Sequence, residues 1–124
     1  MVTDNALDEA LDYIATGVYV ALCSQEPASY ANVATYKLAD IAVTAGAGNG
    51  DWTIANGDTS GRKLTLAEQT GETVDTDGTA THLAVTDGSG ELLATVALSD
   101  PQALTAGNPF TISAVDILEI RDPS

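Results

Sequence analysis

The sequence predicts an all-β fold: an antiparallel β-sandwich, jelly-roll-like or Greek key, with one short N-terminal helix. From residue 61 to residue 120, short apolar–polar alternations recur between turns rich in Gly and Asp, as the strands of a sandwich require. No segment with helical periodicity is long enough to form the crossover of a parallel sheet. At 124 residues, we expect a single domain covering residues 1–124.

Residues 1–17 are predicted to form the helix. Leu7, Leu11 and Ile14 recur at helical spacing and would form its buried face. Gly17 is expected to end the helix in the left-handed conformation. We expect the helix to pack on or beside the sheets, and docking onto a neighbouring subunit is the alternative.

The middle of the chain predicts fewer regular elements. The apolar run 18–23 predicts a strand buried on both faces, and residues 24–30 an extended loop. A second strand is expected over residues 35–43. The stretch 45–50 is too rich in glycine for regular structure and leads into a short strand or edge at residues 51–54.

The last sixty residues give the clearest strand patterns. The turn at residues 87–90 predicts a hairpin between the segments 82–86 and 92–98, and residues 117–120 are expected to close the fold. Apolar residues alternate with polar or small ones at Leu64 and Leu66, at Leu83 and Val85, and at Phe110, Ile112 and Ala114.

Acidic residues dominate the charge. Eighteen Asp and Glu against four Lys and Arg give a formal net charge of −14. Nucleic acids and anionic membranes are bound through clusters of cations, so both are disfavoured as partners. The excess charge favours solubility through mutual repulsion, and it is also typical of proteins from saline environments. The composition leaves both interpretations open.

Few residues offer catalytic chemistry. Cys23 is the only cysteine and is expected to be a small buried hydrophobe. His82 is the only histidine, and we expect it to be half-buried and hydrogen-bonded to a neighbour. There is no Gly-x-Ser-x-Gly nucleophile motif. We therefore expect no enzyme activity and no catalytic, cofactor-binding or metal-binding residues.

Calcium is the one cofactor that the sequence leaves open. Asp75, Asp77 and Asp87 lie beside loop glycines, but the rest of a twelve-residue calcium loop is missing. Ordinary turn chemistry is the expectation for these carboxylates, with a structural calcium ion as the alternative.

The aromatic residues allow two interpretations. Trp52, Tyr30 and Tyr36 lie in or beside the irregular middle region, where core or interface packing is the first expectation. A surface platform that stacks on a host glycan or another ligand is the alternative.

No targeting segment is expected. Residues 1–4 lack the basic and apolar regions of a secretory signal, and no apolar run approaches the length of a membrane span. We expect the protein to be made in the cytoplasm.

Several segments resemble small uncharacterised proteins encoded among the structural genes of tailed bacteriophages. The resemblance consists of strand and turn residues and carries no chemical signature. It extends along nearly the whole chain, in residues 3–8, 22–27, 30–31, 36–38, 61–63, 78–88, 102–108 and 116–117.

The resemblance implies a non-enzymatic virion protein, most simply an accessory head protein that decorates or cements the capsid. A tail, collar or fibre-associated subunit is the alternative position. Either would have other virion proteins as partners and would be homo-oligomeric or present in many copies. A glycan- or ligand-binding β-sandwich module is the alternative from another class.

Overall fold

The predicted class, an all-β sandwich-like fold with an N-terminal helix, is confirmed. The computed structural model describes residues 4–58 and 61–120. The elements are α1 (Asp4–Ile14), β1 (Tyr19–Cys23), α2 (Tyr30–Tyr36), β2 (Lys37–Ala42), β3 (Trp52–Asn56), β4 (Arg62–Leu66), β5 (Gln69–Thr73), β6 (Gly78–Thr86), β7 (Leu92–Leu104), β8 (Pro109–Ile112) and β9 (Val115–Ile120).

The strands form three antiparallel sheets. Four strands pair in the order β2-β1-β6-β7, three in the order β3-β4-β9, and β5 pairs with β8. The predicted hairpin joins β6 to β7, and the predicted alternation places Leu64, Leu66, Leu83 and Val85 in the core. Since alternate residues of a strand face opposite sides, one aliphatic face of each sheet is available for packing.

The core lies on the inner face of the four-stranded sheet. Val20 is paired with Ile41 on one side and with Val85 on the other, and all three side chains are buried. Leu64 and Leu66 of β4 belong to the same cluster from the three-stranded sheet. Burial of these aliphatic side chains provides the main stabilisation of the fold.

Helix α1 contacts β3, β4 and β7. The predicted apolar positions Leu7, Leu11 and Ile14 are all buried. On the same side, the guanidinium of Arg62 on β4 binds Asp8 twice, with an Nε–Oδ1 distance of 2.8 Å and a second contact of 3.3 Å. This bidentate pair connects the helix to the three-stranded sheet.

Gly17 does not take the predicted left-handed conformation. Helix α1 already ends at Ile14, and the φ angle of Gly17 is not positive. The glycine is needed for close packing instead, because a Cβ atom there would lie 2.5 Å from Cγ1 of Val85. The Gly17 carbonyl also accepts a buried hydrogen bond of 3.2 Å from Nε1 of Trp52.

A second helix occupies residues that were predicted as loop and strand. The prediction of a loop to Tyr30 and a strand from residue 35 is wrong there, because α2 begins at Tyr30 and β2 begins only at Lys37. Ser29 caps the helix by accepting a hydrogen bond of 3.4 Å from the Asn32 amide. Val33 then packs on the outer face of the four-stranded sheet.

The two-stranded sheet also differs from the prediction. Strand β5 was not predicted because its sequence, Gln-Thr-Gly-Glu-Thr, has no apolar alternation. It pairs with β8, where Phe110 and Ile112 are buried as expected. The alternation was wrong at Ala114, which is exposed beyond the end of β8.

We predict that Trp52→Ala lowers the free energy of unfolding by about 3–5 kcal/mol, because the substitution leaves a large cavity in the core. The indole is fully buried, and its hydrogen bond to Gly17 would also be lost. Urea denaturation followed by circular dichroism measures the change. Tyr13→Ala is the matched control, since that ring is 59% exposed. Equal losses for the two variants would contradict the assigned role of Trp52.

Candidate functional site

The structure places the only cysteine opposite the only histidine. Cys23 on β1 is the register partner of His82 on β6. The half-buried imidazole is 2.9 Å from the Thr81 hydroxyl at Nδ1, as predicted for a histidine bonded to a neighbour, and its Nε2 lies 3.7 Å from Glu26. A thiol, an imidazole and a carboxylate thus lie near one another, which the sequence alone did not indicate.

The environment of Cys23 opposes nucleophilic chemistry. The thiol is fully buried, as predicted for a small hydrophobe, between Val33 and the four-stranded sheet. Burial raises the pKa of Cys23 to about 11, and the nearby Lys37 only partly offsets this effect. Because the thiolate is the nucleophilic form, the group is protonated and unreactive at neutral pH.

Two of the three aspartates considered for calcium bind backbone amides. Asp87 Oδ1 accepts hydrogen bonds from Ser89, Gly90 and Glu91 at 2.8–3.1 Å, and Asp77 Oδ1 accepts one from Ala106 at 2.6 Å. Among the residues described, no three His, Cys, Asp or Glu side chains are grouped so that they could hold a metal ion. Asp87 therefore binds the amides of its own turn, as expected, whereas Asp77 connects its turn to the loop between β7 and β8.

The aromatic residues do not form the platform that the sequence left open. Trp52 is buried in the core, which confirms the packing interpretation for this ring. Tyr36 packs against the cluster of Val33, Cys23 and their neighbours on the outer face. Tyr30 lines a surface cavity.

That cavity, the outer cleft, lies between α2 and the outer face of the four-stranded sheet and has a volume of about 260 Å³. Two of its lining residues, Lys37 and Asp40, form an ion pair of 3.0 Å. The ring of Tyr19 is 42% exposed and packs on Gly88, where a Cβ atom would lie 2.7 Å from it. The full lining is Tyr19, Ala21, Tyr30, Val33, Ala34, Lys37, Asp40, Thr86 and Gly88.

A larger opening, the edge groove, lies between β7, the end of β8 and β9, with a volume of about 450 Å³. Its lining includes the fully buried core residues Leu22 and Leu83, so the groove reaches the inner layer of the sandwich. The remaining lining residues are Val96, Ala97, Leu98, Asp100, Gln102, Ile112, Ser113, Ala114, Val115 and Asp116.

Both long walls of the edge groove are sheet edges. In the described parts of the chain, β7 pairs only with β6, and β9 pairs only with β4. An edge strand presents backbone N–H and C=O groups that have no ladder partner. The groove therefore combines half-buried aliphatic side chains with the backbone hydrogen-bonding groups of two edge strands.

A large bulge interrupts the β7 wall. Ala80 pairs with Gln102, and the next pair in the ladder is His82 with Ala97. From one pair to the next, the chain moves two residues along β6 but five along β7. The bulged segment contains Asp100 and Pro101, and Pro101 has no amide hydrogen to donate. The Asp-Pro pair within an otherwise strand-like run was the sequence signal for this site, and the sequence analysis missed it.

Comparisons of the chain with protein-family models, with curated proteins and with solved structures found no significant match. No helix within residues 4–58 and 61–120 is long and apolar enough to cross a membrane.

We predict that the contribution of Asp87 to stability depends on pH. Hydrogen bonds from the amides of Ser89, Glu91 and Gly90 hold the pKa of this carboxyl below its ordinary value. Because the folded state has the lower pKa, the stabilisation is complete above the unfolded pKa of about 4 and is lost as the pH falls through the folded value. The difference in unfolding free energy between wild type and Asp87→Asn should shrink below about pH 4.

Urea denaturation across the acid range measures this difference. Asp12→Asn, which removes the same charge from an exposed position of α1, is the matched control. A wild-type advantage over Asp87→Asn that stays constant down to the lowest pH would contradict the assigned role of the carboxylate.

Proposed function

We propose that this protein is a non-enzymatic virion structural protein that docks onto a larger assembly through the edge groove. An accessory head protein, which decorates or cements the capsid of a tailed phage, is the first choice. A tail, collar or fibre-associated subunit is the alternative position. The groove is the observation that carries this proposal, because it places the half-buried aliphatic residues Val96, Leu98 and Val115 between two sheet edges.

The arrangement of the groove supports a binding role. A sandwich that functions alone has no need to leave Val96, Leu98 and Val115 half-buried beside two incomplete sheet edges. Exposed apolar surface rimmed by polar groups is typical of interaction sites. A partner strand at either edge would cover apolar atoms and satisfy backbone groups at the same time.

The chemistry of the remaining residues favours the same class of function. The thiol of Cys23 is buried, and the carboxylates of Asp77 and Asp87 bind turn amides. The tailed-phage setting rests on the resemblance stated from the sequence alone, since the comparisons with known proteins found no match. In that setting the protein is made in the cytoplasm, is present in many copies and has other virion proteins as partners.

We predict that peptides of this chain are found in purified particles in many copies. Quantitative mass spectrometry of density-gradient fractions from the source culture makes the measurement. A comparison of tailless heads with complete particles would assign the protein to the head or to the tail. An abundant host cytoplasmic protein provides the control for carry-over. Presence in the lysate together with absence from particles would contradict the proposed function.

The outer cleft favours a second candidate function, the binding of a glycan or a similar small polar ligand. Tyr19 offers an exposed ring, Tyr30 a second one, and the Lys37–Asp40 pair offers charged hydrogen-bonding groups. Aromatic faces combined with a few placed polar groups are typical of such sites. The site differs from the predicted one because Tyr19 takes the place of Trp52.

For this candidate, we predict that a sugar identified by glycan-array screening loses about tenfold in affinity on Tyr19→Ala, the effect of one lost ring contact. Tyr13→Ala, which removes a ring that is exposed on α1, should leave binding unchanged. Titration calorimetry measures both affinities. Absence of any bound sugar, or equal affinity of the two variants, would eliminate the candidate.

A further inference from the structure

We propose that the edge groove binds a short extended segment of a different polypeptide, in which apolar side chains alternate with Lys or Arg. The inference rests on the proposed function, since it specifies the partner chemistry of the same docking surface. Three properties of the groove lead to it: an apolar floor, walls made of strand edges, and acidic rims.

The floor requires apolar side chains. Leu22 and Leu83 are register partners on the inner face of the four-stranded sheet, and these fully buried residues lie beneath the groove. Val96 on β7 is the register partner of Leu83 and is only half-buried. Val115, on the opposite wall formed by β9, is also half-buried. Aliphatic side chains of the partner that insert between these walls would be removed from water and would extend the apolar inner layer of the sandwich.

The walls require an extended backbone of limited length. A strand can add to the edge of β9, which is six residues long, or to residues 92–97 of β7. The bulge that contains Asp100 and Pro101 ends any ladder along β7. In a strand, alternate side chains face opposite ways, so the partner segment can direct apolar residues to the floor and polar ones to the rims.

The rims require positive charge on the partner. Asp100 is exposed on the β7 side, and Asp116 lies on the β9 side, where it accepts hydrogen bonds from Lys63 at 3.3 Å and from Thr65 at 3.0 Å. Because Asp116 is already paired with Lys63, Asp100 is the rim carboxylate that a partner's cation would meet first, on a chain with a net charge of −14.

The same charges argue against a second copy of this chain as the occupant. Every cation that the structure describes is paired with a carboxylate of its own chain: Lys37 with Asp40, Arg62 with Asp8, and Lys63 with Asp58 and Asp116. A second copy would bring another fourteen net negative charges and would have to give up one of these pairs. The fitting partner is therefore a different, cationic chain.

The test is an NMR titration of the isotope-labelled full-length protein with three synthetic peptides of equal length. One alternates Lys with Val, the second alternates Lys with Ser, and the third alternates Glu with Val. We expect the Lys/Val peptide to shift the amide signals of Val96, Leu98, Val115 and Asp116. The Lys/Ser peptide lacks the apolar side chains and the Glu/Val peptide lacks the cations, so each should bind at least about tenfold more weakly.

Variants locate the binding. Ala114→Trp would fill the groove from an exposed lining position and should lower the affinity for the Lys/Val peptide at least about tenfold. Ala31→Trp, at an exposed position of α2, is the matched control and should bind normally. Asp100→Asn should weaken binding about twofold to fivefold, the range of an exposed ion pair, and Asp12→Asn should not.

Tight binding of the Lys/Ser peptide, signal changes outside the groove, or normal binding by Ala114→Trp would each overturn the inference. Sedimentation that showed dimers of the wild type, disrupted by Ala114→Trp, would assign the groove to a second copy and overturn it too. The proposed function fails separately. Absence from particles contradicts that function, whereas presence in particles combined with an inert groove contradicts only the partner assigned here.

Discussion

The indole of Trp52 lies where three parts of the chain meet. Its ring is fully buried in the cluster that contains residues of α1 and of both larger sheets, and its Nε1 binds the Gly17 carbonyl in the segment between α1 and β1. Gly17 in turn can approach Val85 only because it lacks a side chain. An aromatic-poor core built largely from Leu, Val and Ile thus depends on one large ring to join the helix to the sheets.

The packing around that ring is unequal on the two sides of the sandwich. On one side, α1 buries Leu7, Leu11 and Ile14 and is fixed to β4 by the Arg62–Asp8 pair. On the other, β7 and β9 end their sheets without further strands in the described chain, and half-buried aliphatic residues line the space between them. Strands β2 and β3 also end their sheets, so the feature that distinguishes the side of β7 and β9 is the groove between the two edges.

Much of the fold could be predicted because most strands show periodicity that a single sequence reveals. Leu64, Leu66 and Val85 face the core as their alternation indicates. The missed elements lack such a signal: α2 has Ser29 as a cap but only one buried apolar residue, and β5 is polar throughout. The two surface features could not be predicted, because only tertiary packing brings their lining residues together. The outer cleft is lined by Tyr19 and Asp40, among others, and the edge groove by Leu83 and Asp116.

The bulge in β7 also affects the tendency of the protein to aggregate through its sheet edges. Open sheet edges such as those of β7 and β9 favour cross-β polymerisation at high protein concentration. In β7, the exposed carboxylate of Asp100 and the following Pro101, which has no amide hydrogen, interrupt the regular ladder that such fibres require. The same two residues that limit strand addition by a partner therefore also limit strand addition between copies of this chain.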